Sequence, residues 1–385
     1  MKIHRLNIGL SMLKDFIREL YVLYSAPRKL YHNNNSKKKI IISYLKSPFY
    51  LQNRPIKHAN VIESRSIFKV FRELGYSVDI VDWRCKRNIE FSKYDIIFGF
   101  GTPFIESFNK DYEIQRICYM PGCSPNFSNT NEATRINLIH KQKGVLLRPR
   151  REVYWPWMHA VINSDLVIVG GNDHTVSTYT DFTSNVESIP IPAVPLRKEI
   201  CDQDSVNKGL LWFGGAGAVH KGLDLVLEAV VGLDNDVNLD ICGPIEGELD
   251  FFDLYKDYFN HQNITFNGMI DPNSDSMKEI VKKNSFVILP SCSEGMPSSV
   301  STCMQFGLIP VVTKECGIDI KSSFGIEIDS LDVAGVKNAI KKALSLDNHS
   351  IKSMKKKSIE HSRIVNSKNN YETRLLEILK IFGLN

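Results

Sequence analysis

Short apolar segments alternate with helical segments along most of the chain. Read as strands, the apolar segments form two series, which are Ile40–Leu45, Val78–Val81, Ile96–Phe98, Ile117–Met120, Leu166–Val169 and Val186–Ile189, then Leu210–Phe213, Val237–Ile241, Ile264–Phe266, Phe286–Leu289, Ile309–Val312 and Ile326–Ile328. Short apolar strands that alternate with helices are typical of a mostly parallel sheet covered on both faces. The pattern therefore predicts an α/β protein with two doubly wound, Rossmann-like domains. Because ligands bind beyond the carboxyl ends of parallel strands, we expect a ligand between the two domains.

A proline-rich segment separates the two series of strands. Pro190, Pro192 and Pro195 lie within six residues, which excludes a helix or sheet interior and predicts an interdomain hinge. We therefore divide the chain into four parts, which are an N-terminal segment at 1–36, a first Rossmann-like domain at 37–192, a second Rossmann-like domain at 205–350 and a helical tail at 351–385.

The N-terminal segment carries a basic, amphipathic pattern. Its apolar residues recur at helical spacing, and they are Leu6, Leu10, Leu13, Ile17, Leu20 and Tyr24. Its net charge is +4, because Asp15 and Glu19 oppose six basic residues, which are Lys2, Arg5, Lys14, Arg18, Arg28 and Lys29. Such a helix binds an anionic lipid surface or packs on the domain behind it, and the pattern leaves both interpretations open.

Composition limits the class of protein. A chain of 385 residues with 43% hydrophobic and 24% charged residues suits two globular domains, and a net charge of +5 is far below that of a dedicated nucleic-acid binder. No stretch reaches the roughly 18 uncharged apolar residues of a membrane span, and no signal peptide is recognised. The eight cysteines form no C-x-x-C pair and are interpreted as core residues. We expect a cytoplasmic protein, peripheral on the inner face of the membrane if residues 1–31 bind lipid.

The segment Phe286–Val312 carries the most specific chemistry. A buried strand ends at Pro290, a polar turn presents Glu294, and a helix begins near Pro297 with two serines, Ser298 and Ser299. The free amides at a helix start favour a phosphate, and proline is well suited to the first helical position. A carboxylate beside an anion site can contact sugar hydroxyls or stabilise a cationic sugar centre. The alternative is a solvated loop glutamate with ordinary capping serines.

Five segments in this half resemble the C-terminal domain of the group 1, family 4-like glycosyltransferases, which have the GT-B fold. By this resemblance, residues 205–350 would bind the nucleotide sugar and residues 37–192 would form the acceptor side. The family pattern P-S-x-x-E-G is matched by Pro290–Gly295, and residues 307–312 resemble its G-x-P-V-V with one more residue before the proline. Lys221–Ala229 resembles the family's K-G-x-x-x-L-L-x-A element. The segments ending in Gly243-Pro244 and Gly268 fall where the family has two further strands. The resemblance covers residues 208–330. The family includes many bacterial enzymes of polysaccharide and lipopolysaccharide synthesis.

This resemblance implies a set of site residues. Lys221 would reach the donor pyrophosphate, Glu294 would contact the transferred sugar, and both would be catalytic. The donor-binding set that it implies is Gly214, Gly215, Lys221, Gly243, Gly268, Met269, Glu294, Gly295, Ser298, Ser299 and Thr302. No bound metal or other cofactor is expected, because GT-B enzymes generally need none and a lysine can stabilise the departing diphosphate.

Two positions depart from the family pattern. The partner of the first glutamate, eight positions later, is Thr302, whose single hydroxyl cannot hold both ribose hydroxyls as a carboxylate does. The family's arginine, six positions before the lysine, is replaced by Gly215. We expect the glycine-rich loop at 214–217 to approach phosphate through backbone amides. This loop fits neither G-x-G-x-x-G nor a P-loop.

The N-terminal domain offers fewer signals. His58 lies in the first strand-to-helix loop and is a candidate general base or acceptor contact, with an ordinary loop histidine as the alternative. Residues 122–132 are predicted to be a polar loop at the acceptor lip. Arg148, Arg150 and Arg151 with Trp155 and Trp157 indicate a basic, aromatic patch for a lipid diphosphate or membrane, or a solvated basic face. Asp234-Asn235-Asp236 spells a D-x-D metal motif but is interpreted as a turn.

Three functions fit these observations. The first is transfer of a sugar from a nucleotide sugar to a glycan or lipid-linked acceptor in the synthesis of a surface polysaccharide such as lipopolysaccharide, O-antigen or capsule, with the retention that the resemblance implies. The second is a degenerate sugar-nucleotide-binding or scaffold subunit, which Thr302 and Gly215 would favour. The third is a nucleotide-sugar epimerase of the same fold, which needs no acceptor.

Overall fold

The computed structural model describes residues 19–50, 56, 58–109, 112–196, 205–233 and 237–384. The Asp234–Asp236 motif and the first four apolar residues of the N-terminal stripe lie outside this part. The strands are β1 Arg28–Tyr31, β2 Lys39–Tyr44, β3 Ser77–Asp82, β4 Ile96–Gly99, β5 Gln115–Met120, β6 Leu166–Gly170, β7 Val186–Ile189, β8 Gly209–Phe213, β9 Leu239–Cys242, β10 Ile264–Gly268, β11 Asn284–Leu289, β12 Ile309–Val312 and β13 Ile326–Glu327.

Helices connect most of these strands. The α-helices, numbered here after a first helical stretch at 19–24, are α1 Ala59–Glu73, α2 Thr102–Glu106, α3 Pro125–Lys143, α4 Trp157–Ile162, α5 Asp173–Ser177, α6 Leu223–Val231, α7 Leu249–Leu254, α8 Lys256–Phe259, α9 Asp275–Lys283, α10 Ser298–Phe306, α11 Val333–Ser345, α12 Asn348–Val365 and α13 Lys368–Ile381. Short 3₁₀ turns lie at Ser47–Phe49, Phe91–Lys93, Ile245–Gly247 and Lys314–Cys316.

Two sheets confirm the predicted α/β architecture. The first has the order β1-β3-β2-β4-β5-β6-β7, parallel except for β1, which pairs with β3 in the antiparallel direction. The second has the order β10-β9-β8-β11-β12-β13 and is parallel throughout. This second order is that of a dinucleotide-binding domain, in which the strand order reverses between β8 and β11. All twelve predicted strands are present, with ends shifted by a residue or two.

Strand β1 corrects the expectation for the N-terminal segment. The predicted helical stripe extended into the basic residues Arg28 and Lys29. The helix instead ends at Tyr24, and these residues form the edge strand β1. A strand with alternating half-buried and exposed side chains leaves no apolar core pattern in the sequence, which is why it was missed.

Helix α3 corrects a second expectation. The predicted polar loop at 122–132 is instead the start of a 19-residue helix. Ser124 caps it by accepting a hydrogen bond from the Phe127 amide at 3.3 Å, Pro125 takes the first helical position, and Gly144 ends it with a φ of 73°. Ile136 and Ile139 on this helix are buried in the apolar cluster of the second domain. The helix therefore spans the boundary between the domains.

The end of the chain returns to the first domain. Helix α13 packs against α1, where Ser66 donates to Glu372 at 2.8 Å and Lys69 pairs with the same carboxylate at 2.6 Å. Tyr371 and Leu375 are fully buried in the core cluster on that side of the first sheet. Between the domains, Pro190–Pro195 forms no regular element, and Ile191 and Val194 are buried. The domain boundaries given above stay a prediction.

Two further observations concern sequence expectations. No helix among the described residues is both long enough and apolar enough to span a bilayer. Within the same part of the chain, seven cysteines are buried and free; Cys201 lies outside it.

Candidate active site

The site lies where the strand order of the second sheet reverses. The loop after β8 and the turn after β11 leave adjacent strands at the same edge, and these two connections carry Lys221 and Glu294. The main chain fixes both. The Lys221 carbonyl accepts a hydrogen bond from Nε1 of Trp212 at 3.2 Å, and the Glu294 amide donates to the Glu315 carbonyl at 2.9 Å.

Lys221 and Glu294 form a buried ion pair. The Lys221 ammonium donates to Oε1 of Glu294, and the two side chains are 8% and 9% exposed. Burial alone would raise the pKa of Glu294, but the charges of Lys221 and Arg151, and that of His220 once its ring is protonated at low pH, outweigh it and lower this pKa to about 2. The carboxylate is therefore ionised at any physiological pH, and a cation lies beside it.

His220 is a member of the site that the sequence analysis did not select. Its Nε2 donates to the Ser293 carbonyl, which can only accept, so Nδ1 carries the lone pair. Burial lowers the pKa of His220 to about 4, and the ring is neutral at pH 7. Nδ1 has no partner among the described residues. The position of His220 directly before Lys221 was the available sequence signal.

The predicted glycines gather at the same edge of the second sheet. Gly214 donates to the Cys242 carbonyl at 3.1 Å, and Gly243 donates to the Gly268 carbonyl at 2.9 Å. A Cβ on Gly214 would lie 3.1 Å from Cδ of Lys221, so this loop borders the ion pair. Gly215 and Met269 are exposed, Met269 by 79%.

Two backbone amides of the glycine-rich loop already have hydrogen-bond acceptors within the protein. The amides of Gly217 and Ala218 donate to the buried carboxylate of Glu248, at 2.6 Å and 3.1 Å. We expected this loop to offer its amides to phosphate, and these two are committed within the protein. Glu248 is thirty residues away, and nothing near the loop in sequence indicates it.

Helix α10 carries the three remaining predicted donor contacts, of which two are partly exposed and one is buried. Ser298 and Ser299 are half-buried in its first turn, where helix amides lack partners inside the helix. Thr302 is 1% exposed, and its hydroxyl accepts a hydrogen bond from the Val194 amide at 3.1 Å. Thr302 thus holds the interdomain connection and is absent from the cleft wall, contrary to the predicted ribose contact.

The two domains meet at the turn that carries Glu294. The Cys123 amide, from the first domain, donates to the Glu294 carbonyl at 3.1 Å. A Cβ on Gly295 would lie 2.1 Å from the Gly170 carbonyl oxygen and 2.7 Å from Cα of Gly122. Only glycine permits this approach of three backbone segments. We call this contact between residues 122–123, 170 and 294–295 the interdomain clasp.

A cleft of about 460 Å³ opens beside the clasp. Its second-domain wall comprises His220, Ser293, Glu294 and Gly295, and the first domain contributes aromatic residues and Arg151. His58 is exposed at the N-cap of α1 and is not part of this wall. Among the described residues, no group of three His, Cys, Asp or Glu side chains is arranged to hold a metal ion.

The predicted basic, aromatic patch is divided by the fold. Arg150 pairs with Asp250 across the domain boundary, and the Arg148 amide donates to the same carboxylate at 2.9 Å. Trp157 is buried against Phe182, with ring centroids 5.1 Å apart. Arg151 and Trp155 alone of the patch line the cleft.

Comparison with known proteins agrees with this geometry. Residues 203–361 match the family model of the glycosyl transferases group 1. Sucrose-phosphate synthase from Thermosynechococcus elongatus superposes with a TM-score of 0.63 at 13% identity, over 90% of this chain and 100% of the other. No curated protein sequence matches significantly.

Other solved structures are similar in fold. HepE of Anabaena, in complex with UDP and glucose, gives a TM-score of 0.57 at 12% identity, over 89% of this chain and 99% of that one. TarM of S. aureus, solved with UDP, gives 0.53 at 14% identity, over 76% and 56%. The chain has the GT-B fold, its residues 203–361 match the glycosyl transferases group 1, and the protein is a glycosyltransferase.

Proposed function

We propose that the protein transfers a sugar from a nucleoside diphosphate sugar to a glycan or lipid-linked acceptor in surface polysaccharide synthesis, with retention of configuration. The observation that carries this proposal is the buried Lys221–Glu294 pair at the point where the strand order of the second sheet reverses. A carboxylate and an ammonium at this position match the two charges of the reaction, a cationic sugar centre and an anionic leaving group.

Each partner of the pair has a role in the proposed reaction. The donor diphosphate takes the Lys221 ammonium and the free amides at the start of α10, where the helix dipole also favours an anion. Glu294 then faces the sugar hydroxyls and the developing positive charge at the anomeric carbon. Because Lys221 can stabilise the departing diphosphate, we propose that the reaction needs no bound metal. UDP sugars are the first donors to test, since HepE and TarM were solved with UDP.

Release of nucleotide from a panel of UDP-, GDP- and TDP-sugars tests this function. We expect Glu294→Gln to lower the turnover with the best donor by at least about a hundredfold, because it removes a charge that acts in the transition state. Glu279→Gln is the matched control, since Glu279 is an exposed glutamate of the same domain paired with Lys282. Unchanged turnover in Glu294→Gln would contradict the proposal. Nucleotide release that never requires an acceptor would favour a hydrolase, and conversion of the donor sugar without nucleotide release would favour an epimerase.

We also propose that the N-terminal segment attaches the enzyme to the cytoplasmic face of the membrane. Leu20, Tyr21 and Tyr24 are 42–53% exposed on the helix that ends at Tyr24. Arg28 lies over the Tyr50 ring, 4.2 Å from its centroid. Exposed aromatic side chains among basic residues suit the interface of an anionic bilayer.

A further inference from the structure

Three aromatic rings form a continuous row on the first-domain wall of the cleft. The ring centroids of Trp83 and Phe100 are 5.3 Å apart, and those of Phe100 and Trp155 are 6.0 Å apart. The planes are tilted by only 36° and 33°, so neighbouring rings turn similar faces in one direction. All three are partly exposed and line the cleft that Glu294 borders. We call these residues the aromatic row.

The fold holds the aromatic row rigidly. Trp83 follows β3 and donates its amide to the Tyr44 carbonyl at 3.1 Å, while its own carbonyl accepts from the Thr102 amide at 2.8 Å. Phe100 follows β4 and packs edge-on against the buried ring of Tyr44, with centroids 5.7 Å apart. Trp83 and Phe100, at the carboxyl ends of two strands, are thus fixed before any ligand binds, which lowers the entropy lost on binding.

The rest of the cleft wall is mixed, with charged and hydroxyl side chains among apolar ones such as Met120, Pro125 and Val153. Arg151, Glu152 and Ser128 line it from the first domain, and Glu294 lines it from the second. A ligand that fills this space needs one apolar face and polar groups around its edge. A sugar ring has this form, because its axial C–H bonds make an apolar face that packs on the negative face of an aromatic ring, and its hydroxyls project sideways.

We infer that the aromatic row is the acceptor subsite and takes a sugar ring of a glycan acceptor. This inference rests on the proposed function and specifies its acceptor. The contacts expected for the donor come from the second domain, on the loops after β8 and β11. A sugar stacked on the row lies on the other side of Glu294, where its hydroxyl edge faces the donor. A prenyl chain would not use the charged groups of this wall.

Two measurements test the inference. The first is saturation-transfer NMR with methyl α- and β-glycosides of glucose, galactose and N-acetylglucosamine and with maltose and cellobiose. We expect transfer mainly to the axial C–H protons of one ring face, and its loss in Trp83→Ala and Trp155→Ala. The second is nucleotide release against the concentration of the best of these sugars. We expect the acceptor KM to rise by about tenfold or more in both variants, with donor KM and acceptor-free hydrolysis within twofold of the wild type.

The controls separate stacking from folding. Trp155→Phe and Trp83→Phe keep an aromatic face and should retain most of the acceptor affinity. Tyr31→Ala removes an exposed ring of β1, outside the cleft, and should change nothing. Unchanged sugar contacts and unchanged acceptor KM in both alanine variants would overturn the inference, as would saturation of farnesyl phosphate protons with none of any sugar. Sugar binding that depends on the row without nucleotide release from any donor would support the subsite and reject the proposed function.

Discussion

Glu294 is a buried carboxylate that keeps its charge because a lysine is buried with it. Removing either partner leaves the other charge in a region of low dielectric, where an unpaired charge is costly. The pair thus stabilises the free enzyme, and it also keeps both side chains charged for the proposed reaction. In the proposed reaction, donor binding would replace the Lys221–Glu294 contact with contacts to phosphate and sugar, so that neither charge would be left unpaired.

The stability provided by Glu294 should depend on pH. Its pKa in the folded protein, about 2, lies below the ordinary value of 4.5, so its contribution is complete above pH 4.5 and is lost as the pH falls through 2. We expect the gap in unfolding free energy between the wild type and Glu294→Gln to be constant from pH 8 to 5 and to shrink toward pH 3. Urea unfolding at several pH values measures it.

A double variant provides the control for this prediction. The single variant Lys221→Met is compared with the double variant Lys221→Met/Glu294→Gln. Both lack the lysine that lowers the pKa of Glu294, so the difference in unfolding free energy between them should change over a higher pH range. A wild-type gap that is the same at pH 3 as at pH 7 would show that the carboxylate is not stabilised by the pair.

Among the elements, α3 ties the two domains together most directly. Arg135 on α3 forms a buried ion pair with Asp224 on α6, and Lys143 pairs with Glu228 at 3.0 Å. Asn131 donates to the Cys292 carbonyl at 2.8 Å, two residues before Glu294. A helix that follows a strand of the first domain thus rests on the second domain and on the turn that carries Glu294.

Breaking the Arg135–Asp224 pair should cost more at high pH. Burial raises the pKa of Asp224 to about 6 although Arg135 lowers it, so this carboxyl favours the folded state below its ordinary pKa of 3.8 and opposes it as the pH rises through 6. We expect Arg135→Met to destabilise the protein by about 3 kcal/mol at pH 8, and by less at pH 5. Thermal unfolding at both values measures this effect.

The companion variant is Arg135→Met/Asp224→Leu, which removes both charges. It should recover much of the lost stability, since apolar pairs often replace buried ion pairs at little cost. An equal loss at pH 5 and pH 8, or no recovery in the double variant, would mean that packing rather than charge explains the effect of the single change.

The sequence predicted those features whose determining residues lie close together in the chain. The strands, Lys221 and Glu294 follow from patterns within one strand–turn–helix unit, and the structure has the strands and brings the two residues together. Thr302 and the amides of Gly217 and Ala218 have partners, Val194 and Glu248, that are distant in sequence, so their use within the protein could not be foreseen. The first turns of helix α3 were missed because the buried positions there include the polar residues Glu132 and Arg135, so no apolar helical pattern marks them.

At the scale of the whole molecule, the chain crosses between the domains more than once. It passes to the second domain through Pro190–Pro195 and returns with α13, whose Tyr371 hydroxyl donates to that of Tyr119 at 3.2 Å in the core of the first domain. The two domains therefore share two covalent connections as well as the clasp. Motion between them is limited to a rotation that both connections permit.

Strand β1 lies directly after the segment proposed to bind the membrane, and this limits which residues can be deleted to test the proposal. Removing residues 1–31 would delete an edge strand, so the variant combines deletion of residues 1–18 with Leu20→Ser, Tyr21→Ser and Tyr24→Ser, which removes the exposed apolar face and keeps β1. We expect this variant to lose co-sedimentation with phosphatidylglycerol vesicles while keeping its donor turnover. Phosphatidylcholine vesicles, which lack the negative charge, should pellet little of either protein. Equal pelleting of the two proteins with anionic vesicles would reject the proposal.

The interdomain clasp has a consequence for the timing of catalysis. The peptide unit that carries the Glu294 carboxylate is hydrogen-bonded to the first domain through the Cys123 amide. If the domains separate at the clasp in the proposed reaction, that bond would break and the turn would be released. Domain opening would then displace Glu294, so a donor sugar bound to the second domain alone would not be hydrolysed until the domains close.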